Sequence, residues 1–214
     1  PNMPTGGDAR METYRRLVDF AKRHHIVVVN DNPYSFILNE HPISLLQVEG
    51  AKDCCIELNS MSKGFNMPGW RVGMCVSNPQ FISWILKIKS NIDSGTFRGL
   101  QLAAAEALTT NDEEWHREYN INVYRRRRDI AEKIMQTLGC IYDSKQVGMF
   151  LWAKIPDKYA DAEQLTERVL HEARVFITPG FIFGNNGRRY VRISLCAQDG
   201  KMREALNRIA ALKW

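Results

Sequence analysis

Apolar residues follow two patterns along this chain, and each pattern predicts a different kind of element. The runs "IVVV" at 26–29, "CCIEL" at 54–58 and "VGMCV" at 72–76 are short and mostly apolar. Such runs are typical of strands buried on both faces of a parallel sheet. The segment 8–25 instead repeats apolar residues every three or four positions, which predicts a helix. Its apolar face contains Met11, Tyr14, Leu17, Val18 and Ala21.

Three further helices are predicted after these strands. The pattern places them near 79–90, near 97–109 and over 112–138, and the longest ends at Gly139, a residue suited to a helix C-terminus. A helix, a buried strand, a loop and another strand in this order indicate an α/β fold.

The second half of the chain has a different pattern. It predicts a smaller α+β unit, with strands at 148–155, 175–178 and 190–195 and helices near 161–173 and 199–213. The boundary is expected within the long helix, near 120–130. We assign residues 1–125 to the remainder of a large domain and residues 126–214 to a small C-terminal domain.

Composition narrows the class of protein. The chain has 214 residues, a formal charge of +5 and a pI of about 9.0, which favours small anionic ligands without indicating nucleic-acid binding. The arginines at 125–128 point around the helix and are interleaved with acids, which predicts a solvated, ion-paired surface.

No apolar run approaches the roughly 20 residues that cross a membrane, and no signal peptide opens the chain. Five cysteines without metal-ligand spacing indicate no metal site and a reducing compartment, the cytoplasm.

An acid and a phenol follow the first predicted strand. Asp31 comes directly after the strand and Tyr34 lies three positions later. In open α/β sheets, ligands bind outside the carboxyl ends of the strands, so these two side chains could face one ligand. The alternative is that Asp31 starts a turn before Pro33.

A lysine and an arginine stand among small residues in "SMSKGFNMPGWRVG" at 60–73. Lys63 follows the second strand, and a partly desolvated lysine can act as an amine nucleophile. Arg71 lies between two glycines, and its guanidinium could bind a phosphate by two parallel hydrogen bonds, with hydroxyl donors from Ser60 and Ser62. The alternatives are a solvated surface lysine, which is by far the commoner fate, and a structural arginine beside a turn, so each signal is weak alone.

Taken together, "PNMPTG", "DNPY", "SMSKGFNMPGWRVG" and "YVRIS" resemble the pyridoxal-phosphate-dependent aminotransferases of fold type I, the class I/II aspartate aminotransferase-like superfamily. The resemblance covers essentially all 214 residues, and the lysine block is its most specific part. It implies the C-terminal part of such an enzyme, with the remainder of a mostly parallel-sheet large domain and a small α+β domain.

The resemblance also implies roles for these residues. Lys63 would bind the aldehyde of pyridoxal 5'-phosphate (PLP) covalently. Asp31 would pair with the ring nitrogen and keep it protonated. Tyr34 would donate a hydrogen bond to the ring's phenolic oxygen. Ser60, Ser62 and Arg71 would bind the phosphate.

Two more positions lie outside this block. Arg192 in "YVRIS" would bind the α-carboxylate of the substrate. The family usually has Asn directly before Pro-Thr-Gly, whereas this chain has Met3 there and Asn2 one position earlier. Either Tyr34 alone contacts the phenolic oxygen, or Asn2 reaches it.

The expected activity is transfer of an amino group between an L-α-amino acid and a 2-oxo acid by a homodimer. Family members carry a longer N-terminal portion with further strands, a ring-stacking aromatic residue and a phosphate-binding loop. We therefore expect this 214-residue chain to be inactive alone.

Two alternatives stay open on the sequence. A PLP-dependent carbon–sulfur lyase similar to cystathionine β-lyase shares the lysine block. The cofactor-sensing domain of some bacterial transcription regulators is also similar to aminotransferases.

Overall fold

The structure, a computed structural model, describes residues 1–110 and 113–214. These residues form two compact units. We call Ala9–Arg117 the Lys63 unit, and Pro1–Asp8 together with Glu118–Trp214 the Arg192 unit. The assignment of residues 1–125 and 126–214 to two domains stays a prediction.

The Lys63 unit contains a three-stranded sheet with flanking helices. Its strands are β1 (Val28–Asp31), β2 (Cys55–Ser60) and β3 (Gly73–Val76), and its helices are α1 (Met11–His24), α2 (Met61–Gly64), α3 (Pro79–Ile92), α4 (Arg98–Thr110) and α5 (Glu113–Trp115). Short 3₁₀ turns occur at Leu45–Gln47, Ala51–Asp53 and Pro68–Trp70. The predicted helices at 8–25, 79–90 and 97–109 are confirmed.

The core of this unit lies between α1 and the start of β2. Tyr14, Val18 and Ala21 lie on one face of α1 at helical spacing and are buried together with Leu45 and Cys55. Burial of this apolar face stabilises the helix, at about 25 cal/mol for each Å² removed from water. The helix ends at His25, whose left-handed backbone (φ 53°) lets its N–H bond the last carbonyls.

The sheet order is β1-β2-β3, with β1 and β2 parallel and β2 and β3 antiparallel. The interpretation of 72–76 as a third parallel strand is therefore wrong. The connection from Ser60 to Gly73 contains only the four-residue helix α2 and a 3₁₀ turn, whereas a parallel crossover usually contains a longer helix.

Burial on both faces is also wrong for the outer strands. The side chains of Val29 and Val76 are 54% and 49% exposed. Only the face of β1 that carries Val28 packs on the α1 core, because alternate residues of a strand point to opposite faces. The first strand also begins at Val28, two residues later than predicted.

The Arg192 unit contains a four-stranded antiparallel sheet of order β4-β5-β7-β6. The strands are β4 (Ile141–Tyr142), β5 (Phe150–Lys154), β6 (Thr178–Pro179) and β7 (Tyr190–Ser194), with helices α6 (Tyr124–Thr137), α7 (Ala162–Arg168) and α8 (Asp199–Ala210). π-helical segments lie at His116–Val123 and Val169–Ala173, and 3₁₀ turns at Gly180–Phe183 and Asn185–Gly187. The predicted α+β character is confirmed, and β4 was not predicted.

The helix predicted over 112–138 is found from Glu113 to Thr137, with the π-helical segment in its middle; its predicted first residue lies outside the described residues. The expected end at Gly139 is confirmed. Gly139 has φ +72° and donates to the Gln136 carbonyl, while Cys140 donates to the Met135 carbonyl. This pair of bonds is the Schellman motif, which satisfies carbonyls at the helix end.

Two of the four consecutive arginines are more buried than the expected solvated surface. Arg127 and Arg128 have side chains only 16% and 11% exposed. Arg127 pairs with Asp199 at 3.3 Å, and Arg128 donates to Glu132 at 2.8 Å. The expected ion pairs are present. Arg127 also links α6 to Asp199, the first residue of α8, and Arg128 donates to the Ser144 carbonyl after β4 at 2.9 Å.

Candidate active site

The carboxyl ends of β1 and β2 lie side by side, and they carry the predicted site residues of the Lys63 unit. Asp31 is the last residue of β1 and is paired in register with Leu58 of β2. The Asn32 N–H donates to the Leu58 carbonyl at 2.9 Å, so the two backbones stay together beyond Asp31. The Asp31 side chain is exposed.

Lys63 and Tyr34 are brought together at this edge. Lys63 lies in α2, which begins directly after β2, and its Nζ is 5.9 Å from the centroid of the Tyr34 ring. Both side chains are half-buried. An ammonium within about 6 Å of a phenol ring is attracted to its face, which holds the amine beside the ring.

The two serines have a local structural role at the start of α2. The Ser60 hydroxyl accepts a hydrogen bond from the Ser62 N–H at 3.1 Å, which caps the helix. Both residues are half-buried, and because the Ser60 hydroxyl is the acceptor in this bond, it can still donate its own proton to another group.

Arg71 lies beside these serines because β3 pairs with β2. Ser60 is opposite Gly73 in the antiparallel pair, and the Met61 N–H donates to the Val72 carbonyl at 3.1 Å. Arg71 has a left-handed backbone (φ 55°), and its guanidinium donates to the Pro68 carbonyl at 3.0 Å. The side chain is exposed, which leaves other N–H donors for an anion.

Gly73 is required at its position by this close pairing. A Cβ there would lie 2.9 Å from the Asn59 carbonyl oxygen, whereas a Cβ at Gly69 would meet open space. Only the second of the two glycines that flank Arg71 is therefore needed for packing.

Glu57 is a buried carboxylate in β2 that is not among the residues predicted from the sequence. Its Oε2 accepts hydrogen bonds from Asn30 Nδ2 at 3.0 Å and from the Leu45 N–H at 2.9 Å. The signal was present, because Glu57 is a charged residue inside an apolar strand and buried charges need partners.

Arg192 and Asn2 belong to the Arg192 unit. The Arg192 guanidinium carbon lies 4.2 Å from the Phe150 ring centroid and 4.4 Å from that of Phe183, and its Nη1 is 2.8 Å from the Sδ of Met3. Asn2 donates through its side-chain amide to the Thr5 hydroxyl at 3.3 Å. The Arg192 guanidinium is therefore held between two aromatic rings, and the Asn2 amide stabilises a local turn.

Two buried thiols have raised pKa values. Burial, together with the neighbouring Cys54 thiol, raises the pKa of Cys55 to about 12, and burial raises that of Cys140 to about 12. Both thiols are therefore protonated and unreactive near neutral pH. Within the described ranges, no cluster of side chains could bind a metal ion, and no helix is long and apolar enough to span a membrane.

Comparison with known proteins identifies the family. The family model for aminotransferase class I and II matches residues 1–209. The chain belongs to this aminotransferase family. The match includes every candidate residue given above, and enzymes of this family depend on PLP.

Relatives of this aminotransferase chain agree with the family match. The chain is 40% identical over 215 aligned residues to the LL-diaminopimelate aminotransferase of Aquifex aeolicus, covering all of this chain and 55% of that protein. It is also similar to the apo structure of BacF from Bacillus subtilis (35% identity, TM-score 0.90) and to an aminotransferase structure from Staphylococcus aureus (35%, 0.88). These structures cover 100% and 99% of this chain, which spans 55% and 56% of theirs.

Proposed function

We propose that this chain is the C-terminal part of a PLP-dependent aminotransferase that transfers an amino group between an L-α-amino acid and a 2-oxo acid. The observation that carries the proposal is the position of the Lys63 amine. It lies 5.9 Å from the Tyr34 ring centroid, at the sheet edge where β1 ends with Asp31. In this proposal, residues 1–125 contribute to the large domain and residues 126–214 form the small domain.

The donor set at this edge fits PLP chemically. Lys63 offers an amine for the aldehyde, Asp31 an anion for the ring nitrogen, and Tyr34 a phenol for the ring oxygen. Arg71 and the hydroxyls of Ser60 and Ser62 offer donors for a phosphate. Arg71 is exposed and adjoins the open space beside Gly69, which lets a phosphate approach it.

When bound, PLP supplies a cationic ring that stabilises negative charge at the substrate α-carbon. Asp31 would keep the ring nitrogen protonated through an ion pair. Lys63 Nζ would take the proton from the substrate α-carbon and return it during turnover, as a general base and acid. Tyr34 would orient the ring by a hydrogen bond from its hydroxyl.

Arg192 would bind the α-carboxylate of the substrate and orient the bond that is broken. Its guanidinium carbon lies within 4.4 Å of the ring centroids of Phe150 and Phe183, and such cation–π contacts hold the group beside these rings. A planar guanidinium matches a carboxylate with two parallel hydrogen bonds. Asn2 stays the candidate for a second contact with the ring oxygen, because Met3 has no hydrogen-bond donor.

Two of the proteins reported above, from Aquifex aeolicus and Staphylococcus aureus, are named aminotransferases, which supports transamination over the two alternatives. The 40% identity to an LL-diaminopimelate aminotransferase makes LL-diaminopimelate the first substrate to test. We also propose that the whole enzyme is a cytoplasmic homodimer, with no membrane or nucleic-acid partner.

Covalent trapping tests the central residue. The chain is incubated with PLP and reduced with borohydride, and its peptides are analysed by mass spectrometry. The pyridoxyl group is expected on Lys63, to disappear in Lys63→Arg, and to persist in the control Lys52→Arg, which alters an exposed lysine. Labelling that is spread over surface lysines and unchanged in Lys63→Arg would reject the proposal.

A substrate screen on the whole enzyme tests the reaction. Conversion of bound PLP to its amine form by LL-diaminopimelate or another L-amino acid is the expected result. Release of pyruvate and ammonia from cystathionine would instead identify a carbon–sulfur lyase. Absence of turnover together with DNA binding would identify a regulator.

A further inference from the structure

A hydrogen bond reaches the lysine-bearing helix from a distant part of the Lys63 unit. Nε1 of Trp115 donates to the Gly64 carbonyl at 3.0 Å, across 51 residues of sequence. Gly64 is the last residue of α2 and directly follows Lys63. Neither the sequence motifs nor the proposed mechanism gives Trp115 a role.

The helix needs such a partner because it is very short. α2 has four residues, and a helix leaves its last four carbonyls without partners inside the helix. The Lys63 carbonyl accepts from the Asn66 N–H at 3.2 Å, and the Met61 carbonyl accepts from the Met67 N–H at 3.2 Å. The Trp115 indole binds the Gly64 carbonyl from outside the segment.

Aromatic packing supports the same end of α2. A Cβ at Gly64 would lie 2.9 Å from Cδ2 of Phe36. The Phe36 ring is edge-on to the rings of Phe65 and His116, at centroid distances of 6.2 and 6.1 Å. The backbone of α2 therefore rests against packed rings, and Trp115 fixes its position by a directed bond.

We propose that Trp115 is a positioning residue for Lys63: its indole N–H fixes the end of α2 so that the lysine amine stays beside the Tyr34 ring. The inference rests on the proposed function of Lys63 in binding PLP. Because Trp115 acts through the Gly64 carbonyl, it affects the rate at which the amine reacts without contacting the cofactor.

The test uses Trp115→Phe, which keeps an aromatic ring and removes the donor. The control Trp84→Phe makes the same change at an indole that is 52% exposed on α3. PLP capture at Lys63 is followed by borohydride trapping at timed intervals. We expect capture to be about 3- to 10-fold slower in Trp115→Phe, the loss of one hydrogen bond of ordinary strength, and unchanged in Trp84→Phe.

Hydrogen exchange tests the hydrogen bond from Trp115 to Gly64 in the absence of PLP. In the unaltered protein, the Trp115 indole proton is expected to exchange more slowly than that of Trp84. In Trp115→Phe, the Phe65 amide, which shares a peptide group with the Gly64 carbonyl, should exchange faster. The indole measurement needs no variant, so it decides the matter even if Trp115→Phe does not fold.

The outcomes separate this inference from the proposed function. Equal capture rates at Lys63 in the unaltered protein and Trp115→Phe would overturn the positioning role. No capture at Lys63 in the unaltered protein would reject the PLP proposal, and with it the role of Trp115 in positioning a PLP-binding amine. If the indole protons of Trp115 and Trp84 exchanged at equal rates, the hydrogen bond from Trp115 to Gly64 itself would be rejected.

Discussion

Removal of the Glu57 carboxylate should loosen the segment that carries Asp31 and Tyr34. Glu57 Oε2 bonds Asn30, the residue before Asp31, and the backbone of Leu45, which lies beyond Tyr34. One buried carboxylate therefore ties both ends of this segment to β2. The perturbation we consider is Glu57→Gln, which keeps the size of the side chain and removes its charge.

The expected cost follows from these two bonds. Hydrogen bonds to a charged group contribute about 1.5–3 kcal/mol and neutral ones about 0.5–1.5 kcal/mol. Glu57→Gln changes two bonds of the first kind into two of the second, which should cost about 2 kcal/mol. Glu57→Ala should cost about 3–5 kcal/mol, because it leaves the Leu45 N–H unsatisfied in the core and opens a cavity.

Urea unfolding measures this cost. With a slope of about 2 kcal/mol per molar urea, Glu57→Gln should lower the midpoint by about 1 M. Glu49→Gln, at an exposed carboxylate, is the control and should change stability by less than about 0.5 kcal/mol. In a double-mutant cycle with Asn30→Ala, a coupling energy near zero would refute the claim that the carboxylate ties β1 to β2.

Three other changes have expected outcomes. Gly180→Ala should destabilise the protein by about 3 kcal/mol or more, since the new Cβ would lie 2.5 Å from the Tyr190 carbonyl oxygen. Thermal unfolding measures this loss. The control Gly69→Ala, where a Cβ meets open space, should show no such loss. Gly139→Ala should cost about 1 kcal/mol, measured the same way, because φ there is +72°. Burial raises the pKa of Cys140 from 9.0 to about 12, so the unfolded chain loses this proton first. The free energy of unfolding should therefore fall as pH rises above 9, and less steeply in Cys140→Ala.

Much of the fold follows from local pattern. The helices at 8–25 and 199–213 were predicted because their apolar residues recur at helical spacing and become the buried face, as at Val18 and Ile209. Strand direction could not be predicted in this way. An apolar run such as "VGMCV" carries no information on the direction of its partner strand, and the connection before β3 lacks the longer helix of the usual parallel crossover.

The candidate site residues could be proposed from the sequence where chemistry and spacing coincide. Lys63, Ser60 and Arg71 lie within one motif, and the strand pairing brings their backbones together. Residues that support the site from elsewhere in the chain were not predictable. The bond from Trp115 to Gly64 spans 51 residues, and no local pattern specifies that contact.

The Arg192 unit is built from two stretches of chain that are far apart in sequence, and this affects how it folds during synthesis. Pro1–Asp8 is synthesised before Ala9–Arg117, yet the Gly6 carbonyl accepts from the N–H of Val147, more than a hundred residues later. The entropic cost of closing a loop grows only slowly with the number of residues in it, so the length of the intervening segment adds little to the cost of this contact. The bond between Gly6 and Val147 can form only after all of Ala9–Arg117 and the first part of Glu118–Trp214 have been synthesised.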